Sequence, residues 1–237
     1  MSKAIAIVSG GLDSVTLAHL LHAEGYELHL LSFDYGQRHK KELAYAERCA
    51  ERLGATFDIV DLSSIGRFLT GSALTDAIPV PDGHYAAPTM AITVVPNRNA
   101  MMLSVAYAVA VAEKAQIVAI GVHAGDHFIY PDCRPEFITS FDTMQRLAVE
   151  GFGDPQLKLE APFIHLGKHQ IVQLGTALHV PYADTWSCYK GGEKHCGTCG
   201  TCFERKEAFE LAGVPDPTAY EAVESITSSH ASGNVNL

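Results

Sequence analysis

Short apolar runs alternate with longer amphipathic stretches along the chain. Residues 4–8, 28–33, 57–62 and 117–122 are continuous enough in apolar side chains to predict buried strands. Between them lie helical patterns at 15–23, at 41–53, where Leu43, Ala46, Ala50 and Leu53 share one face, and at 99–115, rich in Ala, Met and Val. Gly54 stands just past the second helix as a stop signal. Strands alternating with helices predict an α/β fold, a doubly wound and mostly parallel sheet with helices on both faces. Residues 71–96 break the pattern with Pro79, Pro81, Gly83 and Pro88, and at this length predict a mobile substrate loop. From Glu224 onward apolar residues are few, which predicts a frayed tail over 224–237.

Ligands of such sheets bind beyond the carboxyl ends of the strands. Two segments fall there: Ser9-Gly10-Gly11-Leu12-Asp13-Ser14 after the first strand, and Asp34-Tyr35-Gly36-Gln37-Arg38-His39 after the second. In the first, paired glycines let backbone N–H groups converge, Ser9 and Ser14 add hydroxyls, and the following helix presents its positive end. The spacing is neither that of a Walker A loop nor that of a dinucleotide fingerprint. It predicts a phosphate or pyrophosphate cradle.

Composition narrows the partners. Among 237 residues, 17 basic side chains face 27 acidic ones, a formal net charge of −10 that opposes stable binding to a nucleic acid backbone. Hydrophobic content of 47% with 19% charged residues belongs to a globular chain with a full core. The longest apolar stretch, 100–112, is interrupted by Ser104 and is well short of the ~20 residues of a membrane span. Met1-Ser2-Lys3 runs directly into a strand without the pattern of a secretory signal, so we expect a cytoplasmic protein.

Four of the six cysteines, Cys188, Cys196, Cys199 and Cys202, crowd into a glycine-rich loop. Four thiolates satisfy a tetrahedral Zn²⁺ and leave no open position, so we read one structural zinc per chain. A disulfide suits a secreted chain better. An iron–sulfur cluster is the other alternative, since the last three cysteines match the start of a ferredoxin run, but position 206 is Lys rather than Cys. His195 beside the cluster reads as an exposed neighbour or an outer-shell donor, Cys49 as a core thiol, and Cys133 as a buried packing residue before a nucleophile.

The hexapeptide 9–14 resembles the SGGxDS loop of the PP-loop ATP pyrophosphatases, with an adenine nucleotide alpha hydrolase-like fold. Together with 34–39, Pro96-Asn97-Arg98-Asn99, Tyr130-Pro131-Asp132-Cys133-Arg134 and the four-cysteine loop, it resembles the 7-cyano-7-deazaguanine synthase family over about residues 3–213. Phe128-Ile129 stands where that family often has Ser-Gly. The resemblance implies an ATP-dependent ligase of queuosine biosynthesis. It would convert 7-carboxy-7-deazaguanine and ammonia to the nitrile through adenylated carboxylate and amide, releasing AMP and pyrophosphate; a PP-loop enzyme that thiolates or adenylates tRNA is the alternative.

The same resemblance implies ATP, Mg²⁺ and Zn²⁺ as cofactors and a homodimer. It implies a nucleotide site at Val8, Ser9, Gly10, Gly11, Leu12, Asp13, Ser14, Val15, Thr16, Leu17, Ala18 and Arg38. Asp13, Ser14, Arg98 and Lys168 would be catalytic, with Asp13 orienting the loop or a Mg²⁺, and Asp132, Arg134 and Glu136 would read the deazapurine. Residues 1–186 would form the ATP-binding unit and 187–223 a zinc-binding segment packed on it.

Overall fold

Five parallel strands, β1 (Lys3–Ile7), β2 (Glu27–Asp34), β3 (Thr56–Asp61), β4 (Ile117–Ala119) and β5 (Lys158–Glu160), form one sheet in the order β3-β2-β1-β4-β5. The computed structural model describes residues 2–85 and 88–222, so the tail expected at 224–237 lies outside the described residues. The helices are α1 (Leu12–Ala23), α2 (Lys41–Leu53), α3 (Ser63–Gly66), α4 (Arg98–Glu113), α5 (Pro135–Ala148), α6 (Lys168–Ala177) and α7 (Gly200–Ala212).

From β1 the chain winds outward through α1 and α2 to β3, then returns through α4 to β4 on the other side of β1 and on through α5 to β5. Right-handed crossovers in opposite directions put their helices on opposite faces. Strand β1 shows the division residue by residue. Ile5 and Ile7 pack toward Leu103 and Tyr107 of α4 and Phe141 of α5. Ala4 and Ala6 pack toward Leu17 and Ala18 of α1, Ala46 and Ala50 of α2, Ile171 of α6 and Phe209 of α7. Register pairs Ala4 with both Leu28 and Ile117, so β1 is the central strand and the winding reverses between β1 and β4. Open α/β sheets bind ligands at that reversal.

Two expectations are adjusted. Strand β4 ends at Ala119 instead of residue 122. The chain leaves the ladder there so that Gly121 passes the start of α1, where a β-carbon would sit 3.3 Å from the carbonyl carbon of Asp13. Segment 71–96 is held down: Ala73, Leu74, Met90 and Val95 enter the core, Pro88–Thr93 forms a 3-10 turn, and Asp82 bridges to Cys199. Helix α5 and strand β5 lie outside the elements read from the sequence, because β5 is only three residues long and α5 leaves Met144 and Leu147 exposed, which blurs its apolar face. Helix α6 begins at Lys168, directly after Gly167.

Candidate active site

Loops from the carboxyl ends of β1, β2 and β4 enclose a cavity of about 240 Å³. At its β1 end lies the glycine loop. Ser14 Oγ accepts from Ser9 N at 3.1 Å and lies 3.2 Å from Gly11 O, to which it donates, so the two serines brace the turn across its mouth. Gly10 has φ +80° and packs against α2, whereas Gly11 is extended and faces the cavity with Val8, Ser9, Leu12, Asp13 and Ser14.

Behind this loop sits a buried group of charges. Lys168 Nζ lies 3.3 Å from Asp13 Oδ2 and 2.5 Å from Glu204 Oε2. His123 Nε2 is 4.0 Å from Asp13, 3.6 Å from Asp126 and 3.9 Å from Glu204. Tyr85 donates to Asp126 Oδ1 at 3.1 Å. Burial by itself lowers the Lys168 ammonium, but Asp13, Glu204 and Asp126 outweigh it and hold it above its ordinary value. Asp13 Oδ1 is buried without a hydrogen-bond partner among the described residues. Asp13 and Asp126 both line the cavity, and such hard oxygen donors suit Mg²⁺.

The far end of the cavity is aromatic. Tyr35, Tyr85, Tyr130 and Tyr189 line it with Leu74, Met102 and Cys133. Arg98, at the start of α4, donates to the Tyr35 hydroxyl at 3.2 Å. Burial opposes its charge, yet Tyr35, Tyr189 and Tyr130 hold the guanidinium above its usual value. Glu42 of α2 also faces the cavity. Burial raises its carboxyl to about 7 against the pull of Arg98 and of Gln37, whose Nε2 lies 3.4 Å away. Cys133 packs beneath Asn99, which donates to its Sγ at 3.2 Å, and burial pushes its thiol up; it is a packing residue.

Of the expected site residues, Val8, Ser9, Gly11, Leu12, Asp13, Ser14, Arg98 and Lys168 converge on this cavity. Others do not reach it. Arg38 donates to the carbonyls of Ile78 at 2.8 Å and Ala73 at 3.5 Å, fastening the 71–78 segment. Asp132 accepts from Asn99 N at 3.0 Å at the start of α4, and Arg134 donates to His127 O at 2.9 Å. Glu136 is exposed in the first turn of α5. Their motif reaches the cavity instead through Tyr130 and Cys133. Val15, Leu17 and Ala18 lie in the core under α1, and Thr16 bonds Leu12 O and the Tyr182 hydroxyl.

His123, Asp126, Glu42 and Glu204 escaped the sequence reading. The first two follow β4, so the strand-end rule applied to a third strand would have found them. Glu204, in the middle of a helix, carries no such signal.

The cysteine loop forms the adjoining wall, contributing Trp186, Ser187, Cys188, Tyr189 and Thr201 to the cavity. The sulfurs of Cys188, Cys196, Cys199 and Cys202 lie within 4.8 Å of one another. Cys196 and Cys202 are 3.9 Å apart and Cys188 and Cys199 4.0 Å, against about 3.8 Å for thiolates at tetrahedral corners ~2.3 Å from zinc. The backbone N–H of Cys199 donates to Cys196 Sγ at 3.3 Å. An iron–sulfur cube, several atoms across, would hold its thiolates farther apart. The donor set fits a single tetrahedral ion.

His195 is buried instead of exposed. Its Nε2 accepts from Ser187 N at 3.1 Å, its ring packs on Trp186 at 4.3 Å between centroids, and burial with nearby Arg205 lowers it to about 4. Arg205, fully buried, donates to Thr185 Oγ1 and Tyr182 O, both at 2.8 Å, and pins α7 to the segment leading into the loop. Lys41 of α2 donates to Gly192 O and Glu193 O from the other side.

Comparison with known proteins agrees with these features. A curated relative from Brucella anthropi named 7-cyano-7-deazaguanine synthase is 62% identical over 219 residues, covering 92% of this chain and 94% of its own. The protein of that name from Brucella ovis is 60% identical over the same coverage. Among solved structures, the NMN synthetase of Francisella tularensis aligns with TM-score 0.49 and 18% identity over 90% of this chain and 78% of that one. The model of the family described as queuosine biosynthesis protein QueC matches residues 3–213, and the chain belongs to that family.

Proposed function

We propose that this protein is an ATP-dependent carbon–nitrogen ligase. It converts 7-carboxy-7-deazaguanine and ammonia to 7-cyano-7-deazaguanine in queuosine biosynthesis. The observation that carries the reading is sequence identity of 60% or more with relatives of that name over 92% of the chain. The cavity supports it, with an anion cradle at one end and an aromatic, Arg98-bearing wall at the other.

A carboxylate oxygen is a poor leaving group. Transfer of AMP from ATP to that oxygen, with release of pyrophosphate, makes it a good one, and ammonia then displaces AMP to give the amide. A second adenylation, on the amide oxygen, permits loss of that oxygen with AMP and of two protons from nitrogen, leaving the nitrile. In this reading Ser9, Gly11 and Ser14 receive the pyrophosphate, Lys168 meets its charge, and Asp13 with Asp126 would hold Mg²⁺, which neutralises phosphate charge when bound. Arg98 faces the acyl phosphate as it forms, and the tyrosine wall takes the planar heterocycle.

Zinc on the four thiolates makes residues 187–223 a clip on the ATP-binding unit 1–186. No helix among the described residues is long and apolar enough to cross a membrane, which is compatible with work in the cytoplasm. Ammonia as the nitrogen donor and a homodimer complete the proposal.

The test is product analysis after mixing the zinc-loaded protein with ATP, Mg²⁺, ammonium and 7-carboxy-7-deazaguanine. AMP, pyrophosphate and a product of nitrile mass are expected. AMP without the nitrile would retain adenylation and point to another acceptor; no AMP would sink the reading.

A further inference from the structure

Helix α7 starts inside the cysteine loop, and its second turn ends in the active site. Cys199 caps the helix, Cys202 lies in its first turn, and two residues later Glu204 reaches the charged group behind the glycine loop. There its Oε2 is 2.5 Å from Lys168 Nζ, while Oε1 is 3.9 Å from His123 Nε2. Glu204 does not line the cavity, whereas Lys168 does. Thus Lys168 reaches the cavity from α6 with a carboxylate of α7 on one side and Asp13 of the glycine loop, 3.3 Å away, on the other.

We propose that Glu204 is a positioning residue: it fixes the Lys168 ammonium beside the phosphate cradle, and the cysteine clip acts in the site by setting the register of α7. The inference rests on the reading above only in taking Lys168 as a phosphate contact. A long, flexible lysine left to itself keeps most of its rotamer freedom, and two carboxylates at fixed distances remove that freedom before the anion arrives. Asp13 alone holds the ammonium on one side. Glu204 supplies the second anchor, and Arg205, the next residue, ties the same turn of α7 to Tyr182 and Thr185. The clip, the anchor and the cation therefore form one short path of about one helical turn.

Charge by itself makes the opposite forecast, which gives the test its force. Removing a carboxylate from an anion site relieves repulsion and should tighten pyrophosphate binding. Loss of positioning should weaken it. The measurement is calorimetric titration of the zinc-loaded full chain with inorganic pyrophosphate and Mg²⁺ at about pH 7, so it does not depend on which substrate the enzyme adenylates.

We expect Lys168→Ala to lose binding, Glu204→Gln to weaken it roughly tenfold, and Glu204→Asp to retain an intermediate affinity, all folded by circular dichroism and with one metal per chain. The groups that face Lys168 are Asp13 from α1, Asp126 and Tyr85 from the loops, and Glu204 from α7; His123 sits against the three carboxylates. Unchanged or tighter binding by Glu204→Gln, or weaker binding only in preparations that have also lost metal, would overturn the inference. Normal binding behaviour by every variant in a protein that forms no nitrile would instead remove both readings, and the expected pattern in such a protein would retain the positioning role while removing the proposed reaction.

Discussion

A β-carbon at Gly10 would lie 2.3 Å from the backbone carbonyl oxygen of Glu42, so the glycine loop is seated directly on the first turn of α2. Gly10 also has φ +80°, where a side chain is strained. Gly11 has φ −78° and its nearest neighbour would be Ser9 Oγ at 3.4 Å. Gly10→Ala should therefore cost about 2 kcal/mol or more in denaturant unfolding, and Gly11→Ala under about 1 kcal/mol. Equal midpoints for the two variants would contradict this division of roles.

The Glu42 carboxyl makes stability depend on pH. Its value rises from 4.5 to about 7 on folding, first through burial, so the folded chain binds the proton more tightly than the unfolded one. The contribution is complete below about pH 4.5 and is lost as pH rises through about 7, by up to about 3 kcal/mol. Melting of the unliganded protein should accordingly fall across that window, and Glu42→Gln should flatten the fall. A wild-type profile identical to that of the variant would remove Glu42 as the cause.

Ser14 shapes the loop with two hydrogen bonds, and Asp13 touches Lys168. Ser14→Ala and Asp13→Ala should each lower turnover about a hundredfold or more with circular dichroism unchanged. Normal AMP release by both would refute the cradle assignment.

Two arginines separate a binding role from a fastening one. Arg38 bonds the carbonyls of Ala73 and Ile78, while Arg98 lines the cavity. Arg98→Ala should lower kcat/KM about a hundredfold, whereas Arg38→Ala should leave the KM for ATP within about threefold and increase amide exchange over residues 71–78. A large rise in that KM for the Arg38 variant would restore it to the nucleotide site.

The thiolate spacing leads to one zinc per chain. Cys196→Ser, or a strong chelator, should release it and lower the melting temperature markedly, because a site absent from the unfolded chain contributes its binding energy to folding. Elemental analysis with a melt decides the matter; a metal-loaded, fully stable Cys196→Ser protein would exclude the four-cysteine site.

Local patterns carried much of this molecule. Buried strands are short apolar runs, and α2 stops where Gly54 adopts φ +63°, so both are written in neighbouring residues. The loop Ser9–Gly10–Gly11 is legible for the same reason, since a turn that converges N–H groups needs glycine in place. Four cysteines at close spacing likewise announce a metal whatever surrounds them. Where a side chain points is another matter. Arg38, Asp132 and Arg134 sit in motifs that look chemical, yet backbone carbonyls and a helix N-terminus claim them first.

What the sequence alone determined was the parallel α/β class, the glycine turn after the first strand and the cluster of four cysteines, because each depends on residues a few positions apart. Only the tertiary structure decided the reversal between β1 and β4, the burial of His195, and the meeting of Asp13, Asp126, Lys168 and Glu204. Those four come from segments up to 191 residues apart, from 13 to 204. Their contact follows from the packing of α7 on α6 and of α6 on α1, driven by burial of side chains such as Ile171 and Phe209 that carry no chemistry themselves.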